Sequence, residues 1–223
     1  MVVTLAELLV ADPPEAWRAA GFTVDADGTC RVGTVRVRLV GRDRGAGIVG
    51  WTLSGLPSGP HDGLLDGIPT GSAPAHPTEP AAHPNGAVRI DHVVVLSPDL
   101  ARTTAALREV GLDVRRERDG VFGDRAVRQV FFRLGEVILE LVGSPEHRGD
   151  GPSQLWGITH TVADVDAAAA ALGERASAVK DAVQPGRRIT TLRHHALGMS
   201  VRTALISPPP KRPAQPGRDR PGP

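Results

Sequence analysis

The chain has 223 residues with 40% hydrophobic and 23% charged content, which is ordinary for a folded globular protein. Its 26 basic and 25 acidic side chains give a formal net charge of +1, which excludes a strong field for nucleic acid or an anionic membrane and leaves a small molecule as the expected partner. A single cysteine excludes an internal disulfide, and because neither a secretory signal pattern nor an apolar run of about 18 residues is found, we expect a cytoplasmic protein.

The first predicted unit lies in residues 1–56. An apolar strand is followed by an acidic residue, Asp12, in the position of a helix N-cap, and then by a short helix. The segment GTVRVRLVG (33–41) alternates apolar and polar residues, which indicates a strand with one buried face. A fragment at 48–56 resembles the first strand of a further unit. We interpret residues 1–56 as a degenerate βαβββ-like module.

Two stretches lack a hydrophobic period. Residues 57–87 are dense in Pro, Gly, Ala and His, and we interpret them as a linker whose apolar middle, Leu64 to Ile68, contacts a domain. Residues 209–223 are rich in proline, which removes backbone donors, so a disordered tail is predicted there. We expect residues 70–85 and 209–223 to be mobile.

The remaining part, residues 88–208, contains two longer copies of the first unit. GEVILELVG (135–143) shares five of nine positions with GTVRVRLVG. Asp99 and Asp164 each follow an apolar strand and precede a helical segment, as expected of N-caps. The predicted fold class is therefore α+β, with two βαβββ modules facing each other.

This arrangement resembles the vicinal-oxygen-chelate superfamily, which includes glyoxalases, bleomycin resistance proteins and dioxygenases. The phrases that carry the resemblance are IDHVVVLSPDLARTTAALREVGLDV, GEVILELVGSP and WGITHTVADVDAAAAALG. The resemblance implies that the paired modules form a half-open barrel around a ligand cavity. The sequence leaves open whether the modules pair within one chain or between the two chains of a homodimer.

Members of this superfamily commonly bind a divalent metal through residues on the first and last strands of each module. By resemblance, His92 is the first-strand ligand and Glu140 the last-strand ligand, and Glu140 is also the candidate catalytic proton carrier. An imidazole and a carboxylate suit Zn, Fe, Mn or Ni.

The ligand set predicted in this way is incomplete. In the last module the matched positions are Gly157 and a residue at or near Thr203, and in the first module they are Leu5 and Arg38. Two protein ligands hold a divalent ion only weakly, so we expect the metal to be loosely bound or absent.

Each candidate also has a structural interpretation. His92 on an apolar strand is also typical of a packed core histidine, and Glu140 would then need an arginine partner such as Arg187, Arg188 or Arg202. In either case we expect both side chains on the concave face of one module.

Three further residues are candidates for substrate binding. Arg187 and Arg188 follow a glycine turn and would present a guanidinium to an anionic substrate, although alternation allows at most one of them to face the cavity. A solvated hairpin explains the same residues equally well. His160 is the third candidate, but its offset from Gly157 places it on the opposite strand face unless a bulge intervenes.

Three functions remain as hypotheses. The first is a metal-dependent lyase, isomerase or dioxygenase that acts on a small oxygenated substrate. The second is a metal-free protein that binds or sequesters a small molecule, which the incomplete ligand set favours. The third is a structural or regulatory module.

Overall fold

The computed structural model describes residues 2–57, 63–74 and 78–210. Within these residues the chain forms two β-sheets with three α-helices. The helices are α1 (Pro14–Ala19), α2 (Leu100–Glu109) and α3 (Val165–Leu172). The strands are β1 (Thr4–Val10), β2 (Thr29–Val32), β3 (Val35–Leu39), β4 (Ile48–Ser54), β5 (Leu64–Leu65), β6 (Ile68–Ser72), β7 (Ala87–Leu96), β8 (Arg116–Phe122), β9 (Arg125–Leu134), β10 (Val137–Gly143), β11 (Gln154–Val162), β12 (Lys180–Asp181), β13 (Arg188–Thr191) and β14 (Arg202–Ile206).

The second sheet has eight strands in the order β12-β13-β14-β11-β7-β10-β9-β8. Strands β7 and β10 pair in parallel, as do β11 and β14, and the two modules join through the antiparallel pair β7 and β11. This is the predicted pair of βαβββ modules, and the half-barrel that they form confirms the expected α+β fold class.

Helices α2 and α3 begin where their caps predict. The Asp99 carboxylate accepts hydrogen bonds from the amides of Ala101 and Arg102. The Asp164 carboxylate does the same for the first turn of α3. Both caps satisfy donors that the helix cannot pair internally.

The first sheet has six strands in the order β2-β3-β1-β4-β6-β5. It repeats the plan of the second sheet in shortened form, because β1 pairs in parallel with β3, β4 pairs in parallel with β6, and β1 and β4 join the two halves antiparallel. The first half keeps one helix, α1, whereas no helix lies between β4 and β6 in the part of that segment that the structure describes. The first sheet is therefore built from two truncated modules.

Strands β5 and β6 lie inside the segment that composition assigns to a linker. A two-residue turn at Asp66-Gly67, with φ values of 48° and 84°, closes the hairpin as an Asp-Gly turn commonly does. Farther along, His83 and Asn85 are buried. The composition of the segment predicted neither the hairpin nor these buried polar side chains. The burial of Leu65 agrees with the expected contact of the apolar middle with a domain. Residues 211–223 of the predicted tail lie outside the described residues.

The prediction that Asp12 caps α1 is wrong. Pro13 occupies the N-cap position, and the helix begins at Pro14, which has no N–H to donate. The buried Asp12 carboxylate instead accepts hydrogen bonds from Trp17 Nε1 and from the backbone and hydroxyl of Ser200 in the second half of the chain. Asp12 therefore connects the two sheets.

A second contact between the sheets lies at the β5–β6 turn. The Asp66 carboxylate accepts hydrogen bonds from Arg102, Thr103 and Ser153, and its side chain is 7% exposed. Burial alone would raise the pKa of Asp66, but these donors together lower it below its usual value. No helix in the described residues is long and apolar enough to span a membrane.

Candidate functional site

The two faces of the second sheet differ along β10. Alternate residues Val137, Leu139 and Leu141 are buried on the face that carries α2, whereas Glu140 on the opposite face is partly exposed. The face without helices is therefore the concave face of the half-barrel, and it is accessible to a ligand.

His92 and Glu140 lie next to each other on this concave face. The distance from His92 Nε2 to Glu140 Oε2 is 3.8 Å, and the side chains are 11% and 14% exposed. The expected placement of the two residues on one face therefore agrees with the structure, while their catalytic and metal-binding roles stay predictions.

A β-bulge places Asp91 beside His92. Thr159 pairs with His92 and His160 pairs with Ile90, so Asp91 is an extra residue in β7. Its carboxylate accepts a hydrogen bond of 2.9 Å from His92 Nδ1. This contact fixes the imidazole and leaves Nε2 as the nitrogen that points toward Glu140.

Asp91 is held by two more donors. Arg187 donates to its carboxylate at 2.6 Å and Thr161 at 3.1 Å. Burial alone would raise the pKa of Asp91, but the hydrogen bonds from His92 and Arg187 outweigh it and hold the pKa well below its usual value. The carboxylate therefore stays ionised and keeps its orientation.

Among the described residues, Glu140 has an amide partner and no arginine partner. Gln129 donates from its side-chain nitrogen to Glu140, and Arg118 donates to the side-chain oxygen of Gln129 at 2.7 Å. Because a guanidinium can only donate, the orientation of the Gln129 amide follows from these contacts. The predicted pairing of Glu140 with Arg187, Arg188 or Arg202 is wrong.

The other module offers no counterpart to this pair. Gly157 stands in the place of His92, as the sequence predicted, and a Cβ there would lie 3.0 Å from the backbone oxygen of Arg202. Val94 lies two residues after His92 and pairs with Glu140. Thr159 lies two residues after Gly157 and pairs with Ala204, so Ala204 occupies the position equivalent to Glu140.

The neighbouring residue, Thr203, does not face the site. It pairs with Ile158, is 1% exposed, and lies on the helix-bearing face. No group of three or more His, Cys, Asp or Glu side chains within the described ranges is placed to hold a metal ion. With two donors and no third, the residues do not fit a resident divalent metal.

The first module carries an acidic and a basic residue at the matched positions. Glu7 pairs with Arg36 in the same way as His92 pairs with Ile138, so Glu7 occupies the position equivalent to His92. The prediction that Leu5 occupies this position is wrong. The count of seven residues back from Asp12 fails because the N-cap of α1 is Pro13, not Asp12. Glu7 lies six residues before this N-cap, whereas His92 lies seven residues before Asp99. Glu7 lies 3.3 Å from the guanidinium of Arg36 and 3.0 Å from that of Arg38.

The three predicted substrate-binding residues do not face the cavity as free groups. Arg187 is buried and donates to Asp91 and to the backbone oxygen of Ser207. Arg188 is exposed and forms an ion pair with Asp166 at the start of α3. The expectation that at most one of the two would face inward agrees with this geometry, but neither is available to a ligand.

The assignment of His160 to the substrate site is also wrong. No bulge lies between Gly157 and His160 in β11, so His160 lies on the face opposite the concave one. It is fully buried against Trp17 and Phe22 of the first half, with ring centroids 6.0 and 4.8 Å away. Neither ring nitrogen has a hydrogen-bond partner among the described residues. Burial lowers the pKa of His160 to about 3.

Aromatic and basic residues complete the concave face. Of these, the sequence pointed only to Arg202, and only as a possible partner of Glu140. The Arg202 guanidinium lies 5.0 Å from the centroid of the Trp156 ring, and that of Arg116 lies 5.1 Å from the Phe131 centroid. Trp156 is 41% exposed, an unusual fraction for a large aromatic side chain. The only cysteine, Cys30, lies on β2 of the first sheet, where burial raises the pKa of its thiol to about 12.

Comparisons with known proteins agree with this architecture. The model of the Glyoxalase/Bleomycin resistance protein/Dioxygenase superfamily matches residues 89–203, which is just over half of the chain. No curated protein matches the chain by sequence.

Solved structures extend the likeness to both sheets. A variant of 4-hydroxymandelate synthase from Streptomyces coelicolor is 16% identical and superposes with a TM-score of 0.61 over 96% of this chain and 94% of that one. A catechol 2,3-dioxygenase is 14% identical, with a TM-score of 0.56 over 96% and 91% of the two chains. Homoprotocatechuate 2,3-dioxygenase from Arthrobacter globiformis is 14% identical, with a TM-score of 0.53 over 93% and 80%. At these identities the likeness shows the fold alone.

Proposed function

Since the chain belongs to the Glyoxalase/Bleomycin resistance protein/Dioxygenase superfamily, we propose that its second sheet binds a small organic molecule on the concave face without a resident metal ion. The observation that carries this proposal is the ligand set. His92 and Glu140 stand together, but their counterparts in the neighbouring module are Gly157 and Ala204. A site that retains two donors of four holds a divalent ion weakly.

The polar groups at the centre of the face are held in fixed positions. Asp91 orients the imidazole of His92, while Gln129 holds the carboxylate of Glu140. Fixed donors and acceptors at the centre of an open, partly apolar surface are typical of ligand sites that bind without rearrangement. The face therefore keeps the preorganisation of a binding site although the metal-ligand set is incomplete.

The first experiment measures metal content. The chain is purified without chelators and analysed by inductively coupled plasma mass spectrometry, then titrated with Zn²⁺ and Mn²⁺ in a calorimeter. We expect well under one equivalent of metal and only weak binding, on the order of 10 µM or weaker, because two protein ligands leave most of the coordination shell to water.

Substitutions identify the protein ligands of any metal ion that binds. His92→Ala and Glu140→Ala should each abolish weak binding, whereas His194→Ala should leave it unchanged because His194 lies in a 3-10 turn at residues 194–197, outside the concave face. One tightly held equivalent of metal that requires His92 and Glu140 would overturn the proposal in favour of a metal-dependent lyase, isomerase or dioxygenase.

A further inference from the structure

The concave face of the second sheet carries a row of six positions that are aligned across six strands. Arg116 on β8 pairs with Phe131 on β9, which pairs with Glu140 on β10. Glu140 pairs with Val94 on β7, which pairs with Gly157 on β11, and Gly157 pairs with Arg202 on β14. Because directly paired residues share a face, all six positions lie on one line perpendicular to the strands.

A bulge adds an aromatic ring to this row. Trp156 is an extra residue in β11, next to Gly157, and its ring lies under the guanidinium of Arg202. The row therefore has an arginine at each end and an aromatic ring next to each arginine, on the side toward the centre of the row. Val94 and Glu140 lie between the two rings.

The arginines at the two ends have no acidic partner. Within the residues that the structure describes, no carboxylate lies within 4.0 Å of Arg116 or Arg202, and both side chains are exposed. Other arginines are neutralised, as Arg128 is by Asp119 and Arg188 by Asp166. A guanidinium that stacks on an aromatic ring keeps its donors free for a carboxylate.

The spacing of the row sets the size of the ligand. From β9 to β11 is three strand spacings, or about 14 Å along the arc of the sheet, and the curvature of a half-barrel shortens the direct distance. Both guanidiniums reach inward over the rings of Phe131 and Trp156. Two acidic groups about 10 Å apart would therefore meet both cations at once.

From this arrangement we propose that the ligand is an elongated organic dianion with a flat apolar body, lying across the strands between Trp156 and Phe131 with one acidic group on Arg202 and one on Arg116. This inference rests on the proposed function and names the class of molecule that the same face binds. The flat body stacks between the rings and lies over Val94 and over Glu140, whose carboxylate is 14% exposed and is held by Gln129. Bidentate contacts at both ends supply selectivity.

The experiment compares three probes of one shape. Biphenyl-4,4′-dicarboxylate carries two charges, biphenyl-4-carboxylate carries one, and 4,4′-bis(hydroxymethyl)biphenyl carries none. Calorimetry on the full chain gives each Kd. We expect the dianion to bind at least tenfold more tightly than the monoanion and at least a hundredfold more tightly than the diol, because each lost charge leaves one guanidinium without a partner.

Substitutions and NMR locate the probe. Arg116→Gln and Arg202→Gln should each weaken dianion binding about tenfold, whereas the matched control Arg188→Gln should change it less than twofold. In ¹H–¹⁵N spectra the indole signal of Trp156, assigned by its loss in Trp156→Phe, should shift. The indole signals of the buried Trp17 and Trp51 should not move.

Several results would overturn the proposed ligand class. They are equal affinity for dianion and monoanion, no effect of either arginine substitution, or no binding of any of the three probes. Binding of the neutral diol as tight as that of the dianion would also overturn it, while leaving metal-free binding of a small molecule intact. A tightly held metal ion would instead contradict the proposed function itself, so the two failures are distinguishable.

Discussion

The concave faces of the two sheets use the same strand pairing but carry different charges. In the first sheet Glu7 contacts both Arg36 and Arg38, so one carboxylate neutralises two guanidiniums of its own module. At the matched positions of the second sheet His92 faces Glu140. Within the described residues, the second sheet also keeps two arginines without an acidic partner, Arg116 and Arg202, on β8 and β14.

Under the proposed function, the first face is structural and the second face binds the ligand. The charges of an internal ion pair already have partners and offer little to a ligand, whereas exposed cations over aromatic rings remain available to an outside anion. The two repeats therefore present surfaces with one backbone geometry and different chemistry. The predictions that follow test this contrast, starting with the largest expected effect.

The first prediction concerns the outer face of the second sheet, where His160 packs against the first half of the chain. Its folded-state pKa is about 3, lowered by burial from the ordinary value of 6.5. As the pH falls from 6.5 to 3, the unfolded chain binds a proton that the folded chain does not, so stability is lost by about 1.4 kcal/mol per pH unit. Between pH 7.5 and 4.5 the wild type should lose about 3 kcal/mol more than His160→Leu.

Urea unfolding of both proteins at the two pH values measures this difference. Carboxylates titrate in the same range in both proteins, so the comparison removes their contribution. Equal acid losses in the wild type and in His160→Leu would show that His160 has a polar partner or access to water.

The second prediction compares the two concave faces directly. Glu7→Gln removes the charge that holds Arg36 and Arg38, and we expect the free energy of unfolding to fall by about 2 kcal/mol. This value is below that of a fully buried pair because the two arginine side chains are 33% and 47% exposed. Glu140→Gln should cost less than about 1 kcal/mol, since an amide can still accept from Gln129.

Urea titrations at neutral pH compare these two variants with the wild type. If Glu140→Gln destabilises the chain as much as Glu7→Gln, the second face is as structural as the first, and the contrast between the sheets is wrong.

The third prediction concerns the helix starts, where the sheets also differ. Asp99 caps α2 with its side chain, whereas α1 has no side-chain cap. Asp99→Ala should lower the unfolding free energy by about 1 kcal/mol, and the control Asp99→Asn, which can still accept both amides, should cost only a few tenths. An equal loss in both variants would mean that the ion pair of Asp99 with Arg148 matters more than the cap.

The sequence predicted the paired modules of the second sheet because their strands alternate and their caps, Asp99 and Asp164, stand at constant offsets. The resemblance to the vicinal-oxygen-chelate superfamily predicted that His92 and Glu140 lie on one face. The offset failed in the first module, because the N-cap of α1 is Pro13 and not Asp12, and Glu7, not Leu5, occupies the matched position.

Most of the candidate site depends on features that the alternation of apolar and polar residues along a strand cannot predict. The bulge at Asp91 brings two successive residues of β7 into contact, and the bulge at Trp156 adds a ring to the concave face. Gln129 and Arg118 lie on strands whose pairing register could not be derived from one sequence. The short strands β5 and β6 are hidden by a composition that is typical of linkers.

The most direct test of the central claim is native mass spectrometry of the chain purified without chelators, alone and after addition of biphenyl-4,4′-dicarboxylate. The account predicts a mass with no metal ion, a complex with one dicarboxylate in the wild type, and strong loss of that complex in Arg202→Gln but not in Arg188→Gln. A chain that carries one metal ion, loses it in His92→Ala, and binds the dicarboxylate only when the metal is present would contradict it.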